Sequence, residues 1–335
     1  MFLFKAIWQG RIDPEENSER WHQKIKPFIA NHVSRWENRA EPGIVLLGFC
    51  CDEGVRRNQG RVGAKNGPKA IRNALANLAW HGKKPVYEAG DVVCDDGNLE
   101  SAQQALVNKL FDILYDEHLP IVLGGGHEVA YASWRGIFDY YYQIIHFKAA
   151  GTEPNIGIIN FDAHFDLRTP EFLDAPSNVL NTQMRGNSGT PFAQIAHLCE
   201  GPIKFQYAVL GISRASNTAA LFKRAEELNT WVVEDKDISI RTLPTIKKQL
   251  KQWMKNKKDI YLTFDIDVLP AAQAPGCSAP AALGVELALL LPLIEEIKNS
   301  GKLILADIAE VNPDFDIDGR TAKVAAKIVH LLHSD

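Results

Sequence analysis

No uninterrupted apolar run in the sequence approaches the roughly 18 residues that a membrane-spanning helix needs, so no helical span is expected. Positive charge is not in excess either: 37 Lys and Arg stand against 41 Asp and Glu, a formal net charge of −4 with both signs interspersed. Without a basic stripe, neither nucleic acid nor an anionic membrane is expected as a partner, and a small-molecule ligand is favoured. Cysteines are few and unpatterned. Cys50, Cys51, Cys94, Cys199 and Cys277 form an odd set without CxxC spacing, so neither a disulfide framework nor a zinc knuckle is encoded. The opening "MFLFKAIWQGRIDPEENSERWHQKI" has too short an apolar stretch for a signal-peptide core. The chain reads as cytoplasmic and reduced, without internal repeats or low-complexity linkers.

What is present is a length of 335 residues with 46% hydrophobic content, enough to bury a large core. One domain over 1–335 is favoured over two, with 1–40 as a charged, Trp-containing lead-in that ends in the turn "AEPG". Short, continuous apolar runs follow: "IVLLGF", "PIVLGGG", "IGIINF", "YAVLGIS", "WVVE", "DIYLTF" and "LILADIA". Runs without polar alternation are the pattern of strands buried on both faces. Between them lie helical stretches such as "GPKAIRNALANLAW", "SAQQALVNKLFDILYDEH", "SNTAALFKRAEELN", "LPTIKKQLKQWMKN", "VELALLLPLIEEIKNSG" and "RTAKVAAKIVHLLHS". The alternation predicts an α/β fold, three layers (α/β/α) around a doubly wound, mainly parallel sheet. The stretch 169–205 reads as a long loop with one short helix, and loops of that length are often functional.

Four predicted strands end in polar groups. "IVLGGGHE" delivers His127, "IINFDAHFD" delivers Asp162, His164 and Asp166, "YLTFDID" delivers Asp265 and Asp267, and "LILADIAEVNP" delivers Glu310. Ligands of open parallel sheets bind outside the carboxyl ends of the strands, so these groups are placed to converge. Residues two apart in an extended segment project to one side, which aims Asp162, His164 and Asp166 into one cleft, and Asp265 with Asp267. Aspartates gathered without compensation would raise one another's pKa values, so the cluster calls for cations. Two imidazoles among four carboxylates, with no thiolate, suit Mn2+, and six donors are too many for one tetrahedral ion and fit a two-metal site. A lone DxD or GGGH is commonly a turn; the metal reading rests on two independent clusters after buried strands. His22, His81, His118, His146, His197 and His330 lack such spacing and read as structural or exposed.

Two other stretches imitate known motifs. "DFDIDG" at 314–319 copies the first half of a calcium loop, but the acidic twelfth position is Ala325, so Asp318 reads instead as the cap of the last helix. "GRVGAKNGP" matches neither a P-loop nor a dinucleotide fingerprint and reads as a turn before a helix.

From "NQGRVGAKNGPKAIR" to "DGRTAKVAAK" the chain resembles the ureohydrolase family of arginase, agmatinase and formimidoylglutamase. The resemblance implies two Mn2+ ions per subunit, one held by His127, Asp162, Asp166 and Asp265, the other by His164, Asp162, Asp265 and Asp267, with Asp162 and Asp265 bridging. It also implies hydrolysis at an amidine or guanidine carbon, with Asp267 passing on the proton and Glu310 pairing with the planar cationic nitrogens of the substrate. Arginases and agmatinases carry a histidine in the loop where "NSGTPF" puts Ser188, and they read DxDxxDP where this chain reads "DIDVLPAAQAPGCSAP". Both departures, with "GISRASNTAALF", resemble the formimidoylglutamase branch. Arg168 stands where arginases hold a neutral side chain, and a guanidinium there suits a substrate carboxylate; Arg214 is a second candidate clamp, with Ser188 and Asn217 adding polar contacts. The expected reaction is N-formimidoyl-L-glutamate plus water giving L-glutamate and formamide, in histidine degradation. The alternatives are a guanidino-acid hydrolase releasing urea and a non-catalytic metal-binding protein of the same fold. The expected partners are the small substrate and further copies of the chain.

Overall fold

The computed structural model describes residues 8–30, 40–145, 154–172, 184–200 and 203–334. His146, part of the lead-in and part of the long loop therefore lie outside the described residues. The main sheet is built from β1 (Lys26–Pro27), β2 (Ile44–Cys50), β3 (Val86–Val93), β4 (Leu119–Leu123), β5 (Ile156–Phe161), β6 (Tyr207–Ile212), β7 (Trp231–Glu234), β8 (Asp259–Asp265) and β9 (Leu303–Ala309). Its order is β1-β3-β2-β4-β9-β8-β5-β6-β7, and every neighbouring pair is parallel.

β2 and β4 to β9 coincide with the apolar runs. β3 escapes that criterion because Glu88 and Asp91 interrupt it. Both are held by Arg72 of the helix Gly67–Ala76, which is 1% exposed and donates to Glu88 at 2.8 Å and to Asp91 at 2.7 Å; a buried guanidinium packed on such a strand needs both carboxylates.

Successive residues of a strand feed opposite faces. Leu46 enters a core with the helices Gly67–Ala76, Leu243–Met254, Leu287–Asn299 and Arg320–His333, while Leu47 enters a second core with Leu99–Tyr115, Val129–Tyr140 and Pro191–Leu198. Cover on both faces is why the strands lack polar alternation. In the long loop, Pro191–Leu198 is the expected short helix, and Glu171–Phe172 pairs antiparallel with Met184–Arg185. Among the described residues, no helix is long and apolar enough to cross a membrane.

The cap of the last helix differs from expectation. Asp316, not Asp318, accepts from the Thr321 and Ala322 amides, at 2.9 and 3.1 Å. Asp318 has φ of 55° and turns the chain instead, because the left-handed step over Asp318 and Gly319 brings Asp316 back under the first helical turn.

The lead-in docks on that helix. Trp21, fully buried, donates from Nε1 to His330 Nδ1 at 3.1 Å. Burial, followed by Lys327, His81 and His333, pushes the His330 pKa down to about 4. A depressed imidazole leaves the unfolded chain with more bound protons below about 6.5, so this contribution is complete above that pH and is lost as pH falls toward 4. Melting temperatures between pH 7.5 and 4.5 should therefore fall more steeply for the wild type than for His330→Asn, whose amide oxygen still accepts from Trp21. Parallel curves would refute the contribution.

Candidate metal centre

The four strands that carry the candidate ligands are consecutive in the middle of the sheet: β4, β9, β8 and β5. His127 follows β4, Glu310 follows β9, Asp265 ends β8 with Asp267 just beyond, and Asp162 to Asp166 follow β5. The glycines before His127 let the loop pass close to its neighbour; a Cβ on Gly125 would stand 1.7 Å from the Cys51 carbonyl oxygen. Asp166 and Glu310 both adopt left-handed backbone, with φ of 49° and 65°, a conformation that costs non-glycine residues energy and clusters at functional sites.

His127 Nδ1 lies 3.1 Å from Asp162 Oδ2, 2.9 Å from Asp166 Oδ2 and 3.1 Å from Asp265 Oδ2. His164 Nδ1 lies 3.0 Å from Asp267 Oδ2 and 3.6 Å from Asp162 Oδ1. Two donor groups result, His127 with Asp162, Asp166 and Asp265, and Asp162 with His164 and Asp267. Asp162 turns one oxygen to each, as a bridging carboxylate must. Asp265 belongs to the first group alone; its Oδ1 accepts from the Asp267 amide at 2.9 Å rather than facing His164.

Electrostatics test whether these residues fit cations. One ring proton on His127 Nδ1 can serve only one of the three oxygens around it, and the others then crowd one another unless a multivalent ion sits among them. Burial disfavours a charged ring, yet hydrogen bonds to Asp162, Asp166 and Asp265 hold His127 well above the usual histidine range. Burial and the charge of Asp162 push Asp166 up to about 6, and burial with Asp265 raises Asp267 well above the carboxylate range. Borrowed protons of this kind mark a carboxylate excess that cations would relieve, and imidazole-plus-carboxylate donors suit manganese.

Glu310 is also buried and also raised well above the carboxylate range, by burial and by Asp265. Its Oε1 accepts from the His127 amide at 3.0 Å, whereas Oε2 has no hydrogen-bond partner among the described residues. Glu310 lines a cavity of about 330 Å³ together with His127, His164, Asp166, Asp265 and Asp267.

Arg168, Ser188 and Asn217 line the same cavity. Arg168 Nη1 donates to Asn58 Oδ1 at 3.1 Å, and Asn58 Nδ2 donates to Ser188 Oγ at 3.0 Å. Asn217 accepts from the Phe165 amide at 3.1 Å and donates to the Ala163 and Ser213 carbonyls at 2.9 and 2.8 Å, so it braces the DAHFD loop. Arg214 does not line the cavity. Glu234 holds it through a two-point ion pair, and its guanidinium stacks 4.4 Å over Phe222.

A different arginine takes that place. Arg61 lines the cavity, donating from Nε to the Ser278 carbonyl at 3.0 Å and from Nη2 to the Cys277 carbonyl at 2.5 Å, with its guanidinium 4.2 Å above Phe315. Asn58 and Arg61 carry no spacing signal; the stretch "NQGRVGAKNGPKAIR" marked them only as the edge of the resemblance.

Comparison with known proteins agrees with the geometry. A protein named formimidoylglutamase from Aeromonas salmonicida is 48% identical over 330 residues, covering 98% of this chain and 96% of that protein. One of the same name from Vibrio cholerae is 47% identical over 332 residues, covering 98% and 94%. The crystal structure of Trypanosoma cruzi formiminoglutamase with Mn2+2 superimposes with a TM-score of 0.72 at 26% identity, covering 87% of this chain and 93% of that one. Residues 42–333 match the model of the arginase family, and the chain belongs to that family.

Proposed function

We propose that the chain hydrolyses N-formimidoyl-L-glutamate to L-glutamate and formamide with two manganese ions held by His127, Asp162, His164, Asp166, Asp265 and Asp267. The observation that carries the choice of substrate is the charge pattern of one cavity: a buried Glu310 with Oε2 unpartnered among the metal-ligand candidates, and the guanidinium groups of Arg168 and Arg61 on the same lining. Formimidoylglutamate has a cationic amidine at one end and two carboxylates at the other, whereas a decarboxylated guanidino substrate would leave both arginines without an anion.

Bound manganese supplies Lewis acidity and lowers the pKa of water toward neutrality. The chain's own residues do the rest. Glu310 Oε2 accepts from the amidine nitrogens and orients the carbon toward the cluster. Arg168, set by Asn58, and Arg61, set by the two carbonyls, take the carboxylates. Asp267, 3% exposed and lining the cavity, takes the proton from the attacking water and returns it to the glutamate nitrogen as the C–N bond to that nitrogen breaks. Cytoplasmic residence, a single catalytic domain and homo-oligomerisation belong to the same proposal.

Product analysis of the manganese-loaded protein tests the reaction: formamide and glutamate are expected, urea from a guanidino acid would overturn the substrate, and ammonia with formylglutamate would mean cleavage of the other C–N bond. Arg168→Ala should raise KM for formimidoylglutamate by about 10- to 100-fold with kcat changed less, as for loss of a partly exposed charged hydrogen bond. An unchanged KM would remove Arg168 from the clamp.

A further inference from the structure

The segment that leaves β9 reads "EVNP", and Glu310 accounts for only its first residue. Two positions on, Asn312 is fully buried. Its Oδ1 accepts from the Asp314 amide at 3.1 Å and caps the single turn Pro313–Phe315. Aspartate or serine would cap that turn as well, so the cap does not explain an asparagine. The other half of the side chain does. Nδ2 donates to the Arg61 carbonyl at 3.0 Å and to the Val62 carbonyl at 3.1 Å. Of the common capping side chains, only asparagine combines an acceptor with two donors.

These bonds tie three segments at one point. The Asn312 backbone amide donates to the Gly276 carbonyl at 2.7 Å. The next two residues of that loop, Cys277 and Ser278, hold the Arg61 guanidinium through their carbonyls, and Ser278 Oγ accepts from the Arg61 amide at 2.9 Å. Arg61 is thus fixed at its nitrogen by the 276–278 loop and at its carbonyl by Asn312. Phe315, at the end of the capped turn, lies under the same guanidinium. Gly63 has φ of 132°, and a Cβ there would stand 2.3 Å from Asn312 Oδ1, so the chain has glycine where it passes the amide. Arg61 itself lies between the helix Glu53–Arg57 and the turn Ala64–Asn66, in neither. Its backbone is held from outside, and a group ordered in advance leaves less for the substrate to order.

We propose that Asn312 is a positioning residue for the carboxylate end of the substrate: its side-chain amide fixes the backbone of Arg61 and so sets the place of the Arg61 guanidinium relative to Glu310. The assignment rests on the proposed reading of Arg61 as a carboxylate clamp.

The test is steady-state kinetics of the manganese-loaded, full-length chain with formimidoylglutamate, as a double-mutant cycle between Asn312 and Arg61. Wild type without turnover would overturn the substrate, and the clamp and this assignment with it. Arg61→Ala should raise KM by about 10- to 100-fold; a wild-type KM there would overturn the clamp reading and again this assignment. Given that rise, two variants decide the role of Asn312. Asn312→Asp keeps the cap and the shape but has no proton to give, and Asn312→Ser keeps the cap without the amide. Each should raise KM by about tenfold and leave kcat within about threefold. In the Arg61→Ala background each should add less than about threefold, because the group it places is gone. A merely structural role would lower kcat or would multiply the Arg61→Ala effect in full. Either result, a wild-type KM in a folded Asn312 variant, or failure of both variants to fold and bind as many Mn2+ ions as wild type, would overturn the proposal.

Discussion

Stripping the two manganese ions with a chelator is expected to abolish turnover and to lower the melting temperature at neutral pH by on the order of 10 °C or more. A ligand present at about 1,000 times its Kd contributes about 4 kcal/mol, and two ions double that; in a chain of this length about 1 kcal/mol corresponds to roughly 2 °C. The pH dependence gives the sharper test. His127 and His164, against the effect of burial, are held high by their carboxylate partners, and Asp166, Asp267 and Glu310 are pushed up by burial and by neighbouring aspartates. For each of these groups the stripped native state binds more protons than the unfolded chain. The stability they contribute is complete below their unfolded values and is lost as pH rises, for Asp166 between about 3.8 and about 6. Asp162 runs the other way, lowered despite burial by His127 and His164, and its contribution is lost only as pH falls. The stripped protein should therefore melt at lower temperature at pH 8 than at pH 5.5. The loaded protein should show the opposite trend, because ions and protons compete for the same atoms. Equal slopes with and without Mn2+ would mean that these groups do not hold the ions.

The ligand candidates were legible because two simple rules converge on them. Period-two spacing sends Asp162, His164 and Asp166 to one side, and buried parallel strands all release their chains at the same end. Neither rule reaches a partner that lies across the sheet or in a loop. Arg214 looked available because its partner Glu234 lies at the end of the neighbouring strand β7, a pairing set by strand order rather than by sequence distance. Arg61 and Asn58 sit in a segment without periodicity, and only the folded path past Cys277 and Ser278 brings them to the cavity. Thr263 and Asp307 did leave a trace, as isolated polar residues in "YLTFD" and "LILAD". Their places beneath the ligand candidates depend on the register that pairs Thr263 with Asp307, and on a loop that brings His127 Nε2 to Thr263 Oγ1.

Glu310→Gln should leave both ions bound and lower kcat/KM for formimidoylglutamate by about 100- to 10,000-fold, the range for removing one partner of a buried, hydrogen-bonded charge pair. The left-handed backbone at Glu310 and the bond from the His127 amide to Oε1 fix the side chain before substrate arrives. Glutamine can keep that bond through its carbonyl oxygen. Its NH2 then occupies the position of Oε2, where it presents donors to the donors of an amidine. Charge attraction becomes donor-to-donor opposition at unchanged shape, so the loss falls on substrate and not on the protein. Folding should improve in the stripped state above neutral pH, since the substitution removes a carboxyl that burial and Asp265 already hold well above its usual range. That gain separates the result from misfolding, which would lower both activity and melting temperature. Wild-type kcat/KM in a variant that binds two Mn2+ would show that the amidine is held elsewhere, and would remove the group that distinguishes the two ends of the cavity.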